Sequence, residues 1–82
     1  MENRYFVYII QNPETLTYIG YTQNLSKRID EHNSGESGYT KGKGHWELKW
    51  YSVFFDKEIA LEFERYLKTA SGRAFMRKRL IR

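Results

Sequence analysis

Five side chains in this sequence are of types that handle a phosphate and a water. Tyr8 and Tyr18 fall on two aromatic, β-branched segments. A hairpin loop centred near residue 13 would set these phenols opposite each other, with Cβ atoms about 4.5–5.5 Å apart. One residue of slip would send them to opposite faces. Arg28 and His32 are four apart, so on a helix they share a face. Arg28 can grip a phosphate through two parallel N–H donors. His32 can act as a base, a proton donor or a phosphate ligand. Glu64 lies in the run Ala60 to Lys68, flanked by Phe63 and Leu67. A carboxylate there offers oxygen to a hard cation, and Mg²⁺ often uses only one or two carboxylates plus substrate phosphates. Each feature also has a plainer reading. The tyrosines suit any sheet. Arg28 can pair with Asp30 or Glu31, and His32 can be a cation at the negative end of a helix. Glu64 can simply pair with Lys68 one turn on.

The elements that must position these residues are legible. Arg4 to Gln11 reads as a strand, Asn12 to Thr15 as a turn, and Thr17 to Tyr21 as a second, antiparallel strand. Asn24 suits a helix N-cap and Gly35 a helix stop, which predicts a helix over 25–34. Residues 33–45 carry four of the six glycines and two lysines, the pattern of a flexible, basic loop. Trp46 to Phe55 reads as a third strand, with Trp46, Leu48, Trp50 and Ser52 on one face by parity. Asp56 caps a helix expected over 57–70, with an apolar stripe of Ile59, Phe63, Tyr66, Leu67 and Ala70. Ser71-Gly72 reads as a break. A last helix over 73–80 would bury Ala74, Phe75 and Leu80 and expose Arg73, Arg77 and Lys78. The expected class is α+β: a three-stranded antiparallel sheet flanked by helices, in the order β-β-α-β-α-α.

Eighty-two residues leave room for one domain, 1–82. The chain is 40% hydrophobic and 17% aromatic, which argues against disorder. It has no cysteine, which excludes a disulfide framework, a thiolate nucleophile and a cysteine zinc site. No apolar run reaches the roughly 20 residues of a membrane span, and residues 1–11 do not read as a signal peptide. No glycine motif of the nucleotide-binding types occurs. We expect a cytoplasmic protein with no membrane association and no nucleotide cofactor. The net charge of +4 is divided unevenly: residues 1–64 carry −3 and residues 65–82 carry +7 with no acid. A one-sign end is the footprint of a polyanion partner, or else a solvated basic tail.

Taken together, Phe6-Val7-Tyr8, Tyr18-Ile19-Gly20, Arg28, His32 and the Ala60-Glu64-Lys68 spacing resemble the GIY-YIG nuclease family. Within it, the chain resembles small standalone members related to the nuclease domain of the excision-repair C subunit. The likeness runs over residues 4–80. Two departures stand out: Phe6 replaces the first glycine of the first tripeptide, and no Asn follows Glu64. The resemblance implies hydrolysis of DNA phosphodiester bonds with one divalent metal, Mg²⁺ or Mn²⁺. Tyr8 or Tyr18 would deprotonate or orient the attacking water, with nearby cations lowering the phenol pKa. Arg28 would stabilise phosphate charge, His32 would assist proton transfer or position a tyrosine, and Glu64 would hold the metal. Gly20 and Lys68 would be structural members of the motifs. With no appended DNA-binding domain, Lys41, Lys43, Arg73, Arg77 and Lys78 would hold the DNA. Such phosphate contacts position without specifying sequence, so low sequence specificity is expected, with branched or damaged DNA as candidate substrates.

Two other classes remain. A non-catalytic nucleic-acid-binding module on the same fold would bind DNA in a salt-dependent way without metal. A protein-interaction subunit or homodimer would use exposed aromatics such as Trp46 or Trp50.

Overall fold

A computed structural model of the chain describes residues 3–81. Met1, Glu2 and Arg82, the ends of the expected domain and basic tail, lie outside them. Strands β1 (Tyr5–Gln11), β2 (Thr17–Thr22) and β3 (Glu47–Phe54) form an antiparallel sheet in the order β2-β1-β3. Helix α1 (Leu25–Ser34) follows the hairpin. Helices α2 (Lys57–Leu67) and α3 (Ala70–Phe75) follow β3, and a π-helical turn (Met76–Leu80) closes the chain. The expected class and order are therefore found.

The caps explain why the helices start where they do. Asn24 accepts from the Lys27 amide and Asp56 from the Ile59 amide, each satisfying an orphan donor of a first turn. Gly35 ends α1 at φ 84°, a left-handed conformation that glycine adopts without strain.

The central strand β1 is buried on both faces. Val7 and Ile9 meet Ile19, Ala60, Leu67 and Met76 under α2 and α3. Tyr8 and Ile10 meet Trp46, Tyr18, Leu25 and Ile29 on the other face, under α1. Period-2 alternation thus sends Tyr8 toward α1 and its neighbours toward α2.

The structure corrects several expectations. Tyr8 pairs with Gly20, and Tyr18 pairs with Ile10, so the hairpin is centred one residue later than expected. This moves Tyr18 two places along β1. It therefore keeps the face of Tyr8 and becomes its diagonal neighbour. In β3 a bulge breaks the parity: Ile9 pairs with Trp50 but Ile10 with Leu48, leaving Lys49 as the extra residue. Trp50 consequently packs on the α2 side and Trp46 on the α1 side. Trp46 is buried rather than a partner surface. The buried stripe of α2 is Ala60 and Leu67 with part of Phe63, while Ile59, Tyr66 and Ala70 are exposed.

The last helix also differs. Ser71-Gly72 does not break it. Thr69 caps α3 by accepting from the Gly72 amide, so a helical turn begins three residues early. A Cβ on Gly72 would lie 1.8 Å from the Tyr66 carbonyl oxygen, so only glycine lets α3 fold this tightly against α2. Gly72 and Met76 face inward, and Ala74 and Phe75 face out. Among the described residues no helix is long and apolar enough to cross a membrane.

Candidate active site

The site is built outward from Tyr8. Its side chain is fully buried, and its ring lies over the backbone of Gly20 on the edge strand. A Cβ at Gly20 would sit 2.4 Å from the phenol oxygen, so the third residue of Tyr18-Ile19-Gly20 must be glycine for Tyr8 to reach this position. The Tyr8 oxygen is 2.7 Å from His32 Nε2, and His32 Nδ1 is 2.8 Å from Thr40 Oγ1. Thr40 in turn donates to the Ser37 carbonyl. A threonine hydroxyl has one proton, so its oxygen accepts from His32 Nδ1–H, and Nε2 accepts from Tyr8. The tautomer is assigned from this network. His32 and Thr40 are each 1% exposed.

Protonation follows from burial. Burial pushes the Tyr8 phenol above its ordinary range, the neighbouring Tyr18 adds to that, and the Arg28 guanidinium opposes it without prevailing. At Tyr8 desolvation outweighs the one nearby guanidinium charge. Burial also holds His32 below its ordinary value, with the Arg28 charge second. His32 is thus neutral inside α1 and is no helix-end cation. With both ring nitrogens bonded, it presents neither to a phosphate.

Arg28 lies beside the same phenols and donates to Glu31 Oε1 at 2.9 Å and to Ser37 Oγ at 3.4 Å. The Glu31 bond holds its pKa up, so it stays charged. Tyr18 completes the cluster. Its ring stands edge-on to His32 at 4.9 Å between centroids, 6.3 Å from Tyr8, and is stacked on Tyr39 at 5.8 Å.

Glu64 approaches from the α2 side of the sheet, and its charge is felt at Tyr8. Its side chain is 17% exposed and bonds Lys68 Nζ at 3.0 Å. Lys68 and Arg73 line a cavity of about 350 Å³ together with Thr17, Tyr18, Ile19 and Tyr39. The cavity lies on β2, the edge strand, through Thr17, Tyr18 and Ile19. No group of three His, Asp or Glu side chains suited to a metal is found among the described residues. A single half-buried carboxylate fits a water-rich hard cation that takes its remaining ligands from substrate phosphate, and it does not fit a protein-enclosed site.

The other expected DNA contacts are spread out. Arg77 lines a second depression that shares Thr17 with the first. Lys43 folds back, donating to the Tyr39 carbonyl at 2.6 Å and standing 4.3 Å from the Tyr39 ring centre. Lys41 and Lys78 are exposed and line neither depression.

Sequence reasoning missed Ser37, Tyr39 and Thr40. They lie in the glycine-rich loop that reads as flexible. The loop is instead tied down through Thr40, through Asn33 bonded twice to the Trp46 backbone, and through Asn12 bonded to the Lys43 carbonyl. No periodicity marks these residues; only the Tyr39-Thr40 pair between glycines hints at them.

An edge-strand site of paired tyrosines, an arginine-histidine helix and a lone glutamate defines a class. The family profile of the GIY-YIG catalytic domain matches residues 4–79, and the chain belongs to the GIY-YIG family, a family of nucleases. Among curated proteins it is similar to a UPF0213 protein of Vibrio campbellii, 35% identical over 68 residues; the match covers 82% of this chain and 65% of that protein's length. A UPF0213 protein of Clostridium perfringens is 39% identical over 64 residues, covering 77% of this chain and 69% of the relative. The solution NMR structure of a UPF0213 protein from Bacillus halodurans superposes with a TM-score of 0.58 at 29% identity, covering 92% of this chain and 83% of that one.

Proposed function

We propose that this protein is a metal-dependent endonuclease that hydrolyses DNA phosphodiester bonds with low sequence specificity. The observation that carries the reading is the convergence of Tyr18, Arg28, His32 and Glu64 on the buried Tyr8 phenol, beside a cavity that Tyr18 lines. These side chains come from four elements, and structural economy alone gives no reason for them to meet.

The roles follow from access. Tyr18 reaches the cavity, so its oxygen orients the attacking water. Tyr8 is sealed beneath and neutral, so it positions rather than reacts. His32, fixed by Thr40, holds Tyr8 and gives Tyr18 an edge to pack on. Arg28 supplies permanent positive charge where negative charge builds on the phosphate. Glu64 would hold Mg²⁺ or Mn²⁺. The cation would neutralise charge on the leaving oxygen. Arg73 and Arg77, along the edge, would meet phosphates of the strand.

Nicking of supercoiled plasmid by purified protein tests this reading. Cutting in Mg²⁺ or Mn²⁺ that EDTA abolishes is the expected outcome. Salt-sensitive DNA binding with no cutting under any metal would replace it with the non-catalytic binding module.

A further inference from the structure

The cavity at the β2 edge is lined by two unlike sets of side chains. One set is aromatic: Tyr18, with Tyr39 stacked on it at an interplanar angle of 26°. The other is cationic: Lys68 and Arg73. Tyr39 is 54% exposed. It is nevertheless held in place, because the next residue, Thr40, is locked into the core by His32 and by Trp46 Nε1, which donates to the Thr40 carbonyl. An exposed aromatic on an anchored backbone is a platform that loses little freedom when something stacks on it. The ring is stacked on Tyr18, and Lys43 stands over it as a cation 4.3 Å from its centre, in the position an incoming base would take.

We propose that Tyr39 is a base-stacking residue, and that the cavity takes one unstacked nucleotide, its base on Tyr39 and its phosphate toward Lys68 and Arg73. Lys43 leaves the ring for a neighbouring phosphate when the base arrives. The second depression, joined at Thr17 and bearing Arg77, continues the cationic lining along the edge and gives the flanking backbone a track. In an intact duplex both faces of every base are covered by neighbours, and no base can reach Tyr39 without leaving the stack. The preferred substrate is therefore DNA that is single-stranded at the cut, such as a flap, a gap or a free strand. This inference rests on the nuclease reading for the word "cut", but the binding preference stands apart from catalysis.

The test is an anisotropy titration in EDTA at fixed salt, with a short labelled single strand and a blunt duplex of the same sequence. Wild type is compared with Tyr39→Leu and Tyr39→Phe. We expect wild type to prefer the single strand and Tyr39→Leu to weaken that binding roughly tenfold, within the range that loss of one base–aromatic stack produces. Tyr39→Phe keeps the ring and the affinity, and duplex binding is the same in all three. A single strand carrying 2-aminopurine loses fluorescence on binding wild type and keeps it with Tyr39→Leu. Equal affinity for both DNAs, or a Tyr39→Leu variant indistinguishable from wild type, overturns the stacking proposal and leaves the nucleic-acid reading standing. Binding of neither DNA overturns both.

Discussion

The Tyr8 hydroxyl lies 2.7 Å from His32 Nε2, wholly out of solvent, and the rest of the candidate site is arranged on that bond. It joins the central strand to α1, and through Thr40 it joins α1 to the glycine-rich loop. Removing either end leaves a buried polar group without its partner.

Tyr8→Phe and Thr40→Val each remove one hydroxyl and keep the shape of the side chain. Each is expected to destabilise by about 1–3 kcal/mol, the cost of an orphaned buried partner. Because both act on the same imidazole, the double variant falls short of or exceeds the sum by about 0.5 kcal/mol or more. Urea unfolding of the four proteins measures this. Strict additivity would mean the two bonds are independent.

Gly20→Ala puts a methyl group where the Tyr8 ring lies. The ring must move or the strands must part, so we expect about 1–3 kcal/mol of destabilisation, typical of overpacking. The obstacle is a core aromatic on the central strand, which has little room to yield. A variant as stable as wild type would show that Tyr8 does not cover Gly20.

Two pH limits follow from burial. The His32 pKa is lowered in the folded state, so below about 6.5 the unfolded chain takes up a proton that the folded one resists. Stability is therefore full above that pH and falls as pH drops. The Tyr8 pKa is raised, so above about 10 the unfolded chain releases a proton that the folded one keeps, and stability falls again. Unfolding midpoints against pH should show both limbs. Tyr8→Phe should flatten the alkaline limb, and His32→Asn the acid one.

Legibility in the sequence differs from element to element. Asn24 and Asp56 announced their helices because a capping side chain is a local signal, and α1 runs over the residues expected. The two tyrosines share a face as expected, since a shift of two residues preserves parity. What failed depended on distant contacts. The bulge at Lys49 arises between strands far apart in sequence, where Ile9 pairs with Trp50 and Ile10 with Leu48, and it sends Trp46 and Trp50 to opposite sides. Gly72 reads as a break because nothing local shows that it must fit against the Tyr66 carbonyl. Tyr39 and Thr40 entered the site through tertiary hydrogen bonds and stacking, which leave no spacing in the sequence.

Tyr18→Phe should separate reaction from folding. It keeps the rings that stack on Tyr39 and His32 and removes the hydroxyl that bonds Arg28. We expect the unfolding midpoint to change little and the nicking rate to fall at least about a hundredfold, the lower range for loss of a positioned proton-handling group. Nicking at the wild-type rate would remove Tyr18 from the chemistry.

The central claim is that Glu64 holds a catalytic metal. Its bond to Lys68 is a partly exposed i,i+4 pair worth about 0.3–0.5 kcal/mol, so Glu64→Gln should fold normally. The deciding measurement is plasmid nicking by wild type, Glu64→Gln and Arg28→Ala in Mg²⁺ or Mn²⁺, with EDTA alongside. The account predicts cutting by wild type that disappears in both variants and in EDTA. Cutting that persists in Glu64→Gln would contradict it.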